Sequence, residues 1–311
     1  MPHDHHHHHH HIDPDAGDAR VAWAVAANVA LTLAQIVGGI LSGSVALIAD
    51  AIHNLSDAAS LGIAFFARKI ARRPTDAGMT FGYKRAELVA ALINLTTLIV
   101  IGFYLAYEGI MRFFDPPEVA GWLVIIVAGI ALAVDSLTAL LTWRMAKDSA
   151  NIRAAFLHNL ADALGSVAVI IVGILIVAFD WYLADPIATL GIAAYILWMG
   201  FSEIKGVIHI LMLGAPTGIA AEQVLAVMEA VEGVDSVHHL HLWQISEAVV
   251  SLEAHVVVSA DHWPDCHAPK AAVKAALGDQ FHISHVTLDM EGPGERCDHP
   301  ARIGGASAPV S

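Results

Sequence analysis

A histidine precedes an aspartate by four positions at two places in this chain. Residues 53–58 read His53-Asn54-Leu55-Ser56-Asp57-Ala58, and residues 158–163 read His158-Asn159-Leu160-Ala161-Asp162-Ala163. Both copies lie inside long apolar stretches. On a helix, side chains four apart sit one above the other on the same face. Each copy therefore presents one imidazole and one carboxylate to the same neighbour. Two such helices facing each other supply two nitrogens and two oxygens, a set that suits tetrahedral Zn2+. An ionised Asp deep in a membrane helix costs roughly 2.5–3.5 kcal/mol on insertion scales. Two of them, each with a matching His, point to a shared intramembrane metal site rather than to incidental core polarity.

The elements that position these groups must be membrane spans. Of 311 residues, 56% are hydrophobic and 15% charged, and the mean hydropathy is +0.60. That composition belongs to polytopic membrane proteins. Six apolar segments, at about 21–41, 45–68, 86–111, 120–143, 152–179 and 184–204, are each long enough to cross about 30 Å of hydrocarbon. The first two are joined by a tight turn, Ser42-Gly43-Ser44. The two His/Asp copies fall in the second and fifth spans.

Basic residues orient the spans. Arg68, Lys69, Arg72, Arg73, Lys84 and Arg85 follow the second span, and Arg144, Lys147 and Arg153 follow the fourth. The connections after spans three and five have almost none beyond Arg112. The basic connections, and with them both termini, are expected in the cytoplasm. From about residue 206 the pattern changes. Residues 217–232 and 264–278 have helical spacing, while 236–245, 249–259 and 283–291 alternate as strands do. This order predicts a small cytoplasmic α+β domain, αββαβ, resembling a truncated ferredoxin-like fold with an antiparallel sheet. The expected organisation is a disordered His-rich tail over 1–20, a six-helix transmembrane domain over 21–205, the α+β domain over 206–292 and a flexible tail over 293–311. The run His5–His11 reads equally as a metal-collecting tail or as an added affinity tract. No cleavable signal peptide is expected.

The chain resembles the cation diffusion facilitator family. The resemblance rests on Ala49-Asp50-Ala51-Ile52-His53-Asn54-Leu55-Ser56-Asp57, Phe81-Gly82-Tyr83-Lys84-Arg85-Ala86-Glu87, His158-Asn159-Leu160-Ala161-Asp162 and His238-His239-Leu240-His241-Leu242-Trp243. It implies a homodimeric antiporter in the bacterial inner membrane that exports Zn2+ or a similar ion in exchange for protons by alternating access. It implies a transport site at His53, Asp57, His158 and Asp162. It also implies metal binding by the cytoplasmic domain, with His238, His255 and Asp289 as the matching positions and Zn2+ as substrate and regulatory ligand. In the family, His at the first position of the motif accompanies zinc and Asp accompanies manganese. Some members carry a further site in the loop between spans two and three, made of one Asp and two His. Here Met79 and Tyr83 stand at the His positions, so that site is expected to be missing.

Other residues carry weaker signals. Asp50 lies one turn before His53 and is either an accessory proton relay or a solvated residue at the outer end of the span. Asn54 and Asn159 read as interhelical bonding groups or as supports for a ligand. Asp135 has no partner evident from sequence. Lys84, Arg85 and Glu87 read as a mixture of salt bridging and positive-inside anchoring. In the α+β domain, strand alternation puts His239 and His241 on one face and His238 on the other. His282, His285, Cys266, His267 and Glu291 are further candidates. Cys297 and His299 have no assigned role, and two cysteines make no disulfide framework.

Several classes are excluded or disfavoured. A net charge of −14 argues against nucleic acid as a partner. No GxxxxGK[ST] loop is present for a pump driven directly by ATP, and no HExxH motif for an intramembrane metalloprotease. The chain therefore reads as a transporter and not an enzyme. The remaining alternatives are a transporter of the same type preferring Co2+, Fe2+, Ni2+ or Cd2+, and a membrane metal sensor that does not transport.

Overall fold

The computed structural model describes residues 29–143, 150–297 and 301–304. The expected tail over 1–20 and His299 lie outside the described residues. Among the described residues, six helices come first: α1 (Val29–Ser42), α2 (Val45–Ala71), α3 (Ala86–Phe114), α4 (Gly121–Trp143), α5 (Ala150–Phe179) and α6 (Ala184–Leu211). Among the described residues, four stretches are long and apolar enough to cross a membrane: Ala86–Phe114, Gly121–Leu140, Leu160–Phe179 and Ala184–Leu211. Val29–Ser42 and Val45–Ser56 are shorter apolar helical stretches. The first part of the chain is thus a helical transmembrane domain; the start of the first expected span, 21–28, lies outside the described residues, and the five later helices lie close to their expected bounds.

The chain divides into two compact units. One comprises Met1–Gly62 and Asn94–Phe201, the other Ile63–Ile93 and Ser202–Ser311. In the first unit, α2 is gripped on two sides. Leu47 packs with Val124, Ala128, Val169 and Val172 of α4 and α5. Val45 and Ala49 pack with Leu98, Leu105, Ala193 and Ile196 of α3 and α6. Apolar burial offers little drive between helices already in lipid, so close backbone approach matters. At the α4–α5 crossing a methyl group on Gly121 would lie 2.9 Å from the Gly173 carbonyl oxygen. The start of α2 is held by a carboxylate from another helix. Asp185 of α6 accepts hydrogen bonds from the Ser44 hydroxyl and from the backbone N–H groups of Val45 at 3.0 Å and Ala46 at 3.4 Å. A carboxylate there satisfies exposed helix donors and complements the positive end of the helix dipole. Arg112, paired with Glu108 at 2.8 Å, donates to the Gly43 carbonyl at 2.6 Å.

The second unit contains a small α/β domain of α7 (Ala221–Glu229), β1 (Val234–Ser246), β2 (Val249–Val258), α8 (His267–Phe281) and β3 (His285–Glu291). The element order is as expected, and the sheet order is β1-β2-β3. Its pairing corrects the expectation of an antiparallel sheet: β1 and β2 are antiparallel, but β2 and β3 are parallel. The reason is the connection. α8 crosses back over the sheet between β2 and β3, and such a helical crossover returns the chain in the same direction. Val224, Leu225 and Met228 of α7 and Val273 and Leu277 of α8 close over Val237, Leu240, Leu252, Ala254, Val256 and Leu288.

Ahead of α3, the loop of the second unit is closed by Asp76. Its Oδ1 accepts from the Gly78 N–H at 2.8 Å and the Met79 N–H at 2.9 Å, and its Oδ2 accepts from the Tyr83 hydroxyl at 2.6 Å. Arg85 donates to the carbonyls of Ile245 at 3.4 Å and Gln244 at 3.5 Å, so it binds the end of β1 through backbone oxygens.

Candidate metal sites

The two sequence copies meet in the first unit. His53 Nε2 of α2 lies 3.8 Å from Asp162 Oδ1 of α5. The His comes from the first copy and the Asp from the second, which is the pairing a site shared between the two helices requires. Tyr195 of α6 sits edge-on to the His53 ring, 5.8 Å between centroids, and limits how that ring turns. Asp57 and His158 lie on the same two helices, and their side chains are outside the described part of the structure.

Polar groups support this pair. Asp50 is buried, at 5% exposure, which removes the reading of a solvated residue at the end of the span. Its Oδ2 accepts a hydrogen bond from Gln35 Nε2 at 2.9 Å. Asn54 donates to Gln35 Oε1 at 3.3 Å. Gln35 of α1 thus ties together the residues one turn before and one position after His53. Its signal in the sequence was an amide within an apolar helix. Across on α5, a methyl group at Gly165 would lie 3.1 Å from Asp50 Oδ1, so only glycine lets that carboxylate approach without displacement. Asp135 of α4 accepts from Ser166 Oγ of α5 at 3.5 Å. Asp50, Asp135 and Asp162 all belong to the same helical unit. A concentration of negative charge in a low-dielectric setting is a place for a cation or for protons.

A second group of ligands lies in the α/β domain. One ligand atom from each of His238, His239, His255 and Cys297 falls within 4.8 Å of all the others. The three imidazole rings are mutually close, with centroids 4.9, 5.3 and 5.0 Å apart. Of the expected set, His238 and His255 are brought together as register partners across β1 and β2. Asp289 pairs in register with His255 on β3 but is exposed and stands outside the cluster. Glu291, two residues further, takes the place beside it. Its Oε1 lies 2.7 Å from His255 Nδ1, 3.3 Å from His238 Nε2 and 3.3 Å from Cys297 Sγ.

The alternation rule fails at His239 for a local reason. The β1–β2 register shifts between His238 and His241, and His239 has φ +51°. A non-glycine residue in the left-handed region costs about 1–3 kcal/mol. The resulting bulge turns His239 toward His238, and His241 is left exposed.

The electrostatics of the cluster suit a cation. Burial holds the His238 imidazole below the ordinary histidine range, against the opposing pull of Glu291. For Glu291, burial acts to raise the carboxyl, but hydrogen bonds from His255 and Cys297 and the nearby His238 outweigh it and hold it below its ordinary value. A neutral imidazole beside an ionised carboxylate is the state in which histidine offers a lone pair to metal. His238 Nδ1 and His239 Nε2 are buried without a hydrogen-bond partner, a costly condition that a bound ion relieves.

The loop between α2 and α3 gives a separate, checkable shift. The Tyr83 hydroxyl, followed by the Gly78 and Met79 N–H groups, holds Asp76 below its ordinary value of 3.8. Conversely, the bond to Asp76 holds the Tyr83 phenol above its ordinary value of 10.0. A depressed carboxylate stabilises the folded loop above its unfolded value, and this contribution is lost as pH falls through the folded one. The difference between alkaline absorbance titrations of the parent and of Tyr83→Phe isolates this phenol. We expect its midpoint above 10.0 in the parent and lower in an Asp76→Ala background. An unchanged midpoint would mean that the bond does not form.

Comparison with known proteins fits this architecture. Residues 21–212 match the cation efflux transmembrane domain, and residues 216–293 match the cation efflux protein cytoplasmic domain. The chain belongs to the cation efflux, or cation diffusion facilitator, family, and is a transporter of metal cations rather than an enzyme. It is 40% identical over 260 residues to a cadmium, cobalt and zinc/H(+)-K(+) antiporter of Bacillus velezensis, with 83% of each chain covered. It is 34% identical over 294 residues to zinc transporter ZitB of Escherichia coli, covering 94% of this chain and 93% of that one. It is 32% identical over 313 residues to the metal cation efflux system protein CzcD of Cupriavidus metallidurans, covering 98% and 96%. The solved metal-bound C-terminal domain of that CzcD transporter is 33% identical, covering 24% of this chain and 99% of that one, with a TM-score of 0.22.

Proposed function

We propose that the protein exports Zn2+ from the cytoplasm in exchange for protons, through one intramembrane site made of His53, Asp57, His158 and Asp162. The observation that carries this reading is the approach of His53 to Asp162 at 3.8 Å, since it joins the two copies of the motif across two helices. Two imidazoles and two carboxylates offer a dication four ligands and two compensating charges. The names of the relatives, which include zinc, cadmium and cobalt, support divalent transition metals as the substrate class. Cd2+ and Co2+ are the rival substrates, because a common affinity order governs such sites and geometry does the selecting.

His53 and His158 bind metal only when neutral, and Asp57 and Asp162 only when ionised. Metal arriving from the cytoplasm displaces protons from any ligand that carries one. Once the helices expose the site outward, protons from a more acidic exterior compete for the same atoms and release the ion. Protons on the returning site reduce the cost of carrying an empty, doubly negative pair through the bilayer. Asp50, bonded to Gln35 and set one turn from His53, is the accessory group through which protons reach or leave the site. The protein works as a homodimer in the inner membrane, with both termini and the α/β domain on the cytoplasmic side. That domain takes metal from the cytoplasm.

Reconstitution tests this function. Purified protein in proteoliposomes should move Zn2+ faster than protein-free vesicles, and Cd2+ and Co2+ at measurable but different rates. Metal binding without any flux would identify a sensor instead.

A further inference from the structure

We propose that the cleft between the α2–α3 loop, the end of α6 and the end of β1 binds one anionic phospholipid. Its acyl part lies against the apolar wall of the cleft, and its phosphate is held by Arg85 with Lys84 beside it. This site is independent of which metal is carried and of proton exchange.

The cleft has a volume of about 420 Å³, within the range of small-molecule sites. Met79 and Phe81 of the loop, Leu213 beyond α6, and Trp243 and Ile245 of β1 form its apolar wall. Among its described lining residues Arg85 alone is charged. All of these residues belong to the second unit. An apolar cleft with one cation at its side suits an amphiphile that carries one negative charge. Its depth points the same way. Arg85 directly precedes Ala86, the first residue of α3, and Leu213 lies two residues after Leu211, the last of α6. Both helices are long and apolar enough to cross a membrane. The cleft therefore lies where spans leave the hydrocarbon, at the level of the lipid headgroups. Met79, Phe81 and Leu213 are 44%, 55% and 52% exposed. Large apolar side chains exposed together mark a contact surface, and at this depth lipid is the neighbour. An indole such as that of Trp243 also suits this zone, with an apolar ring and one N–H donor.

Charge selects the class of lipid. Arg85 donates to the Ile245 and Gln244 carbonyls at 3.4 and 3.5 Å, which is long for a hydrogen bond. Among the described residues, neither Arg85 nor Lys84 pairs with a carboxylate. A guanidinium has five N–H donors in a planar fork, so Arg85 can take phosphate oxygens and keep a carbonyl contact. Charge-assisted bonds of that kind are stronger than those to a neutral carbonyl. Arg68 and Lys69 in the last turn of α2 add to the positive field, and basic groups beside spans attract anionic lipid. A lipid seated here touches the start of α3, the end of α6 and β1 together, and so ties the spans to the sheet.

Full-length protein in detergent, titrated with phosphatidylglycerol carrying brominated acyl chains, tests this. Bromine quenches tryptophan fluorescence on contact. The chain has seven tryptophans, so the signal is the difference between the parent and Trp243→Phe, which keeps an apolar ring in the wall. We expect Trp243 quenching to reach its midpoint at about fivefold lower concentration with brominated phosphatidylglycerol than with brominated phosphatidylcholine, the worth of one basic group facing an anionic lipid. Arg85→Gln removes the cation, and Met79→Glu sets a carboxylate in the wall. Each should raise the phosphatidylglycerol midpoint about fivefold, while Met79→Gln should change it little. Met79→Glu leaves the Arg85 bonds to β1 in place, so its effect is not that of a loosened strand. Four results would overturn the proposal: equal quenching by the two lipids, no quenching of Trp243, indifference to both Arg85→Gln and Met79→Glu, or displacement of the lipid by inorganic phosphate.

Discussion

Asp162→Ala should abolish Zn2+ flux through reconstituted protein while leaving the helical content and elution behaviour unchanged. Asp162 faces His53 at 3.8 Å, so the substitution removes one of four proposed ligands and one of the two charges that offset the dication. In a medium of low effective dielectric a unit charge a few ångströms away is worth several kcal/mol. Losing it should cost at least about 100-fold in rate, beyond what outer partners of metal ligands are worth. Asp57→Ala should fail equally, because the site treats the two copies alike. Asp162→Ala transporting at near the parent rate would mean that the ion passes elsewhere.

His53→Asp should change which ion is carried. Imidazole suits Zn2+, whereas an added carboxylate suits Mn2+ and other hard cations. We expect zinc flux to fall by about tenfold and manganese flux to appear, a change in relative preference equivalent to about 1.4 kcal/mol per factor of ten. The Tyr195 ring, edge-on to His53 at 5.8 Å, leaves room for the shorter Asp side chain. Parallel flux assays with Zn2+ and Mn2+ read the effect. Unchanged selectivity would indicate that His53 is not a ligand and that Tyr195 and Asp162 merely pack against it.

Helical features were legible because their causes are local. A spacing of four residues fixes His and Asp on one helix face whatever the rest of the chain does, and long apolar runs give the spans. What the patterns did not carry was contact between distant segments. Gln35 was not singled out: in sequence it is one amide in an apolar helix, and its bonds to Asp50 and Asn54 depend on how α1 packs on α2. In the α/β domain, the period of two sorts residues correctly until a bulge intervenes. At His239 the register slips, and the rule that separated it from His238 no longer applies. Asp289 was favoured over Glu291 by position, and the register does pair Asp289 with His255; the side chain that reaches His255 and Cys297 is that of Glu291, two residues further along β3. The parallel pairing itself had a readable sign in the helix-length connection between 259 and 283. Cys297 had none, since a single thiol after the last strand acquires meaning only where the chain folds back.

In the proposed exchange, metal leaves and protons enter at the same four side chains. Zinc-loaded proteoliposomes of uniform protein orientation, given an acidic pH on the side opposite the α/β domain, put this to the test. The protein should drive Zn2+ toward the acidic side even against its own concentration gradient, and an ionophore that collapses the proton gradient should stop all uphill movement. Uphill transport that persists with no proton gradient would contradict exchange at a shared site, and strictly downhill flux indifferent to pH would describe a passive pathway instead.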